Sequence, residues 1–513
     1  MERDRDYERR WWTLGVLCLS LVMIVAANAS LNVAIPTLVR DLHASSSDLQ
    51  WVVDAYSLVF AGLLLTAGSL GDRFGRRLAL NSGLVIFGAA SGLAVFSGSS
   101  GLLITARAAM GVGAALVMPA TLSVLAHVFP PSERRRAIAV WAGFAGVGVA
   151  SGGVVSGWLL QHFWWGSVFL INVVVVAVAL VAGTLLVPSS HDERRPALDP
   201  MGALLSMAGL GLLIYAIIEA PNRGWLSVRT LVAFGLATVI MGAFAAWELR
   251  VSEPMLDLRF FRNPRFTAAT STITLIFFVI FGTIFLLTQY LQLVLGYSPL
   301  QAGLRVIPWA VAYMLTAPMS ARMVERWGQR VVVGGGLGIV ALGLALLSRS
   351  GVHGDYPLLA LALVVMAVGQ GMATAPSTGA IVVSLPLDKA GVGSAINDTT
   401  REVGGALGVA VFGSVLVSRY HLDVAHHVAG LPAAAHHATA SLGAALQTAK
   451  GLDGTAAAHL TAVARRGYVH AFDQTMVVTV AVALFASALV SWLLRPPKET
   501  VEQSEPALAV EAA

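Results

Sequence analysis

Charge is what this chain has least of. Of 513 residues only 12% are Asp, Glu, Lys or Arg, while 57% are apolar; a soluble domain carries about 25% charged residues. Half that share, together with many long apolar runs, excludes a soluble globular class and assigns the chain to a bilayer. Cysteine is almost as scarce: Cys18, in the first apolar run, is the only one, so no internal disulfide can form. There is no G-x-x-x-x-G-K-[ST] loop and no polar segment long enough for a nucleotide-binding domain, which excludes direct use of ATP. No nucleophile–base constellation or metal-ligand set lies within the apolar runs, so an enzyme is not expected, nor any metal or cofactor. His421, His426, His427, His436, His437 and His459 crowd one Ala-rich stretch, but without distinctive ligand spacing.

What is present is repetition of length. A membrane helix needs about 20 mostly apolar residues. Such runs fall near 12–37, 48–70, 78–97, 101–126, 137–160, 165–187, 200–219, 228–249, 267–292, 301–322, 331–349, 356–380, 395–418 and 471–494, fourteen in all. The start, "MERDRDYERRWW" before an apolar run ending "AANAS", has the outline of a signal peptide, but it fits equally the first span of a polytopic protein, and a retained span is expected. An even count places both termini on one side. That side collects about twenty of the 33 Lys and Arg, in the N-terminus and in "GDRFGRR", "PPSERRR", "HDERRP", "RFFRNPR", "ARMVERWGQR" and "LDKAG". Positive residues stay inside, so both termini are predicted to be cytoplasmic in a bacterial-type inner (plasma) membrane. The pI near 9.5 then reflects topology, and no nucleic acid partner is expected.

"DRFGRR", beginning at Asp72, is echoed by "ERWGQR", beginning at Glu325. Both follow the second span of a six-span block if spans seven and eight are an insertion. The predicted organisation is an N-terminal six-helix half over 1–187, two inserted linker helices with cytoplasmic loops over 188–264, and a C-terminal six-helix half over 265–494 with an outer loop at 419–466. A cytoplasmic tail follows at 495–513. Internal repeats around a central site are a recurrent transporter plan.

"GSLGDRFGRR" resembles the signature loop of the major facilitator superfamily. "LLITARAAMGVGAAL" around Arg107 resembles the superfamily's intramembrane-Arg motif. "NVAIPTL", "WVVDAYSLVFAG", "PMLDLRFFRNPRF" and "INDTTREVGGALGVAVFGS" resemble the fourteen-helix drug:proton antiporters. The resemblance implies an all-α polytopic membrane protein with the major facilitator fold: two six-helix pseudo-symmetric halves plus two inserted helices, 14 spans. It also implies conformational gating by Gly68, Gly71, Asp72, Arg73, Gly75, Arg76 and Arg77, answered in the second half by Glu325 and Arg326. The chain departs from the pattern at Ala27, where many relatives have Asp. In span five it keeps a glycine ridge of Gly148, Gly152, Gly153 and Gly157 but lacks the usual proline. Tyr313 stands where some relatives that expel cationic antiseptics have an acid.

Asp54 and Arg107 each lie about six residues inside helices that start at the outer face, so at 1.5 Å per residue they share a level ~9 Å deep. Asn28 sits slightly deeper. An intramembrane carboxylate costs about 3 kcal/mol or more and marks a functional site by default. A static Asp54–Arg107 ion pair is one reading; a proton-binding carboxylate tuned by Arg107 is the other. Asn397, Asp398, Arg401 and Glu402 form a second polar cluster, with Asp398 and Glu402 on one helix face. Asp54, Arg107, Asp398 and Glu402 are therefore the expected proton-coupling groups. Asn28, Trp141, Tyr313, Asn397 and Arg401 are expected to contact substrate. The sequence thus points to a monomeric, proton-coupled multidrug efflux antiporter. It would take small amphipathic substrates, cationic or neutral, from the lipid bilayer or cytoplasm by alternating access. A dedicated exporter of one antibiotic or metabolite is the alternative, and a membrane receptor or enzyme the remote one.

Overall fold

In the computed structural model, residues 2–188, 199–252, 254, 256–352, 354–384, 390–428 and 438–495 are described. Of Asp72 only the backbone is described, and the tail 496–513 and the histidines His436 and His437 lie outside the set. Every regular element is helical. The first group is α1 (Glu2–Asp41), α2 (Ser46–Phe74), α3 (Arg76–Val95), α4 (Ser100–Val128), α5 (Pro131–His162) and α6 (Ser167–Leu186). Then come α7 (Pro200–Arg223) and α8 (Val228–Glu248). The last group is α9 (Pro264–Gln289), α10 (Pro299–Arg305), α11 (Ile307–Trp327), α12 (Gln329–Leu347), α13 (Tyr356–Val383), α14 (Ala390–Val428), α15 (Leu442–Ala449) and α16 (Gly454–Leu493). Eleven of these are long and apolar enough among the described residues to cross a membrane, against the fourteen crossings expected; α2, α5 and α11 are the other long helices.

Local chemistry explains the boundaries. Ser45 and Ser298 open α2 and α10 with reciprocal capping boxes to Asp48 and Gln301, satisfying backbone donors that the first turn leaves free. The run 301–322, expected as one helix, is broken at Val306. Pro308 in the next turn has no N–H to return to the chain four residues back, so the helix restarts there. The described part of 419–466, expected as an outer loop, is mostly helix: α14 continues to Val428, α16 starts at Gly454, and α15 lies between. The echoed motifs end in the same device. Gly75 (φ 117°) separates α2 from α3, and Gly328 (φ 79°) separates α11 from α12; each donates its N–H back to the helix it ends, to Gly71 O and Val324 O. A side chain at such φ is strained.

The two groups pair their helices alike. In the first, α2 packs on α4, α1 on α5, α3 on α4 and α3 on α6; in the second, α11 packs on α13, α9 on α14, α12 on α13 and α12 on α16. The halves meet along two seams, α2 with α14 and α5 with α10 and α11. Close approach needs small residues: a Cβ on Gly152 would lie 2.6 Å from Ala26 O, and one on Gly157 2.7 Å from Leu300 Cα. Gly148 likewise faces Val25 of α1, and Gly153 faces Gly303 of α10. The inserted α7 lies on the first seam. Leu210, Ile214, Ile217 and Ile218 pack with Ala406 and Ala410 of α14, beside Trp51 and Leu58 of α2, and Ser414 Oγ donates to Ile217 O at 2.8 Å.

Replacing Gly328 by Ala should cost about 1–3 kcal/mol of stability through backbone strain. Gly335→Ala, on an open face of α12, should leave the Tm unchanged or raise it. Melting curves of the purified protein in detergent check both, and equal Tm values for the two variants would contradict the strain at Gly328.

Candidate functional site

α1, α2 and α4 bring Asn28, Asp54 and Arg107 together inside the first half. Arg107 is fully buried, so its charge must be met by protein. Its Nε donates to the backbone carbonyl of Val52 at 3.0 Å and its Nη2 to Asn28 Oδ1 at 2.9 Å. Its guanidinium lies 4.3 Å from the ring centre of Tyr56, a cation–π contact worth about 2 kcal/mol where water is excluded. The Val52 carbonyl explains the shared depth of α2 and α4 at this point.

Asp54 is equally buried, yet neither carboxyl oxygen has a hydrogen-bond partner. The static Asp54–Arg107 ion pair is therefore absent among the described residues: the Val52 carbonyl and Asn28 take Nε and Nη2 instead, and Nη1 has no hydrogen-bond partner. Asn28, expected at the substrate, orients Arg107 in this structure. One turn further along α2, Ser57 lies against Glu402 of α14, and Glu402 also faces Tyr56 and Arg107. Glu402 is 8% exposed, with Oε2 unpartnered. It thus links the first-half cluster to Arg401 and Asp398 of its own helix, across the seam that α7 covers.

The rest of "NDTTRE" pairs within itself and with residues of α9, α11 and α13. Asp398 Oδ1 pairs with Arg401 Nη1 at 3.5 Å and accepts from Asn397 Nδ2 at 3.3 Å. Thr378 Oγ1 donates to Asn397 Oδ1 at 3.0 Å. Arg401 lies over the ring of Phe277 on α9, 4.6 Å from its centre, and near Tyr313. Tyr313 stacks on Trp309 with centroids 6.0 Å apart and planes 8° from parallel, and it lies beside Thr374. Gln370 Oε1, Thr374 Oγ1 and Ser377 Oγ are buried without partners; at spacings of four and seven they line one face of α13. The sequence reading passed over Phe277 and this stripe, although three polar residues at helical spacing in an apolar run were legible. Trp141 on α5 is buried, with its indole N–H unpartnered.

The gating residues lie at the other end of α2. Gly68 approaches Pro119 of α4, and Gly71 approaches Ala79. Arg73 lies over Phe74, and Arg77 donates to the Thr184 carbonyl of α6. Glu325 and Arg326 are exposed in the last turn of α11. Arg10 pairs with Glu133 at 2.8 Å, so these ties join helices within the first half. Hydrogen bonds between the halves gather at the opposite end, which the basic-residue count predicts to be outer. Gln292 Nε2 donates to Val33 O at 2.9 Å and Gln447 Nε2 to Val39 O at 2.7 Å; Gln50 packs directly on Gly413.

Comparisons with known proteins agree with this architecture. The chain is 35% identical over 492 residues to the multidrug efflux pump LfrA of Mycolicibacterium smegmatis, covering 96% of this chain and 97% of that one. It is 32% identical to the tetracenomycin C resistance and export protein of Streptomyces glaucescens, covering 94% and 91%. It is 35% identical to the methyl viologen resistance protein SmvA of Salmonella typhimurium, covering 90% and 93%. In fold it resembles a bacterial homologue of the human lysosomal transporter Spinster, with a TM-score of 0.68 at 17% identity over 95% of this chain and 99% of that one. The family profile described as Major Facilitator Superfamily matches residues 17–409. With two like-paired helix groups that carry buried charged residues, this chain is a membrane transporter belonging to the Major Facilitator Superfamily.

Proposed function

We propose that this transporter is a proton-coupled drug efflux antiporter of the fourteen-helix type, with all fourteen long helices crossing a bacterial inner membrane and both termini in the cytoplasm. The observation that carries the coupling is Asp54: a buried carboxyl group with no donor on either oxygen, one helical turn from the seam residue Ser57. A proton is the smallest partner that can satisfy it, and access to that proton changes when the seam rearranges. Glu402, held on the opposite half at the same seam, is the second proton carrier. Arg107 tunes both through Tyr56 and Asn28. The contacts gathered at the outer end support an inward-facing arrangement, in which an amphipathic compound enters from the cytoplasm or inner leaflet. Trp141, Tyr313, Asn397 and Arg401 would meet it, with the polar face of α13 behind Tyr313. Substrate displaces proton, the halves rock outward, and reprotonation from outside resets the cycle as a monomer. Asp72 and Arg73, with Glu325 and Arg326, act as gating residues at the inner end.

Resistance to chemically different compounds gives the relatives their names, which supports a drug as cargo. Two features favour a narrower second reading, export of one neutral or singly charged antibiotic or metabolite. Asp398 and Arg401 neutralise each other, and Tyr313 replaces an acid.

In proteoliposomes with an imposed pH gradient, Asp54→Asn should abolish gradient-driven export, at least tenfold below wild type, while expression and fold are kept. Undiminished transport removes Asp54 from the coupling. A panel of cationic, neutral and anionic compounds, each with and without uncoupler, separates the broad reading from the narrow one. If the arrangement is inward-facing, Gln50→Cys with Gly413→Cys should form a disulfide, since Gln50 Cγ, the position a substituted Sγ would take, lies 3.1 Å from a Cβ at 413, within reach of disulfide geometry. That crosslink should block transport until reduced; a crosslinked protein that still transports contradicts the closed outer end.

A further inference from the structure

The inserted hairpin carries two acids that the coupling scheme does not use. Asp199 caps α7: its Oδ1 accepts the backbone N–H of Gly202 at 2.8 Å and the indole N–H of Trp247 at 2.9 Å. Glu248 ends α8, and its Oε2 accepts the N–H of Leu256 at 3.0 Å, in the segment that leads into α9. Both are buried, 7% and 2% exposed. Their remaining oxygens, Asp199 Oδ2 and Glu248 Oε1, have no other donor. Those two oxygens converge over Gly202, where a Cβ would lie 2.4 Å from one and 2.7 Å from the other. The two carboxyl groups thus lie against each other.

Ionised carboxylates only accept hydrogen bonds, so a bond between two of them requires a proton. Asp199, with two N–H donors on one oxygen and a place at a helix N-terminus, is the better carboxylate. Glu248 is then the acid, its Oε1–H donating to Asp199 Oδ2. Among the described residues the charged groups that face Glu248 are Asp199 of α7 and Asp257 at the turn before α9; both are acidic, and no cation relieves the pair. We propose that Asp199 and Glu248 hold one proton between them, and that this shared proton latches the α7–α8 hairpin to the segment entering α9. The latch is closed while the proton is bound. Raising the pH on that face removes the proton, sets two buried carboxylates against each other with Asp257 beside them, and loosens the base of the helix that covers the α2–α14 seam. The proton here is structural, and the proposal stands whether or not Asp54 couples transport.

The test uses the purified full-length protein in detergent. Wild type should give a protonated-carboxyl band in the infrared at neutral pH that Glu248→Gln lacks. Its Tm should fall as the pH rises from the ordinary carboxylate range through the range in which the pair loses its proton, and level off above that. That dependence should be at least halved in Glu248→Gln and in Asp199→Asn, since each leaves one neutral and one charged partner and Asn still caps a helix. Should the glutamine variant not fold, the asparagine variant carries the same pH test. An unchanged infrared band in Glu248→Gln, or an unchanged pH dependence in the folded variants, overturns the shared proton. So does a wild type lacking the band but stabilised at high pH by Mg²⁺ or Ca²⁺, which would assign the pair to a cation.

Discussion

A guanidinium in hydrocarbon must find all its partners inside the protein, and the partners of Arg107 decide the rest of the site. They are a carbonyl of α2, an amide of α1 and an aromatic ring. None carries a charge. This choice leaves Asp54, at the same depth, without a cation on its oxygens. An ion pair there would have closed the site upon itself, since removing either member of a buried pair costs several kcal/mol. As built, the carboxyl group is available to a small, mobile partner, and the proposed coupling rests on that availability.

The second constraint is where the halves touch. Like pairing within each group of helices produces two like seams, α2 with α14 and α5 with α11. The inserted helices remove the likeness, because α7 lies along the first seam only. Glu402 and Ser57 meet under that cover, while the second seam is closed by glycines of α5 against α10. An insertion that looked like a linker in the sequence is thus a wall of the site. Its anchorage at Asp199 and Glu248 is then part of how the seam is held.

Much was legible in the sequence for a simple reason: a bilayer makes burial of apolar residues and internal satisfaction of the backbone obligatory. Helix existence, the small-residue ridge of Gly148 and Gly152 on α5, and the repeated motif that holds Gly75 and Gly328 all follow from local periodicity. The break at Val306 was missed because apolar periodicity passes through it, although Pro308 signalled it. The helical extensions of α14 and α16 into the stretch 419–466 were missed because that stretch is not apolar enough to read as a span.

What the chain alone determined, then, was the inventory: which segments are helices, which of them carry charged residues at bilayer depth, and that two halves repeat. What only the tertiary structure decided was partnership. Asn28 rather than Asp54 answers Arg107, Glu402 faces Ser57 across the seam, and Asp199 meets Glu248 across the inserted hairpin. Helical spacing states which residues share a face, but the identity of the facing helix depends on packing between segments far apart in the chain, and no local pattern encodes that.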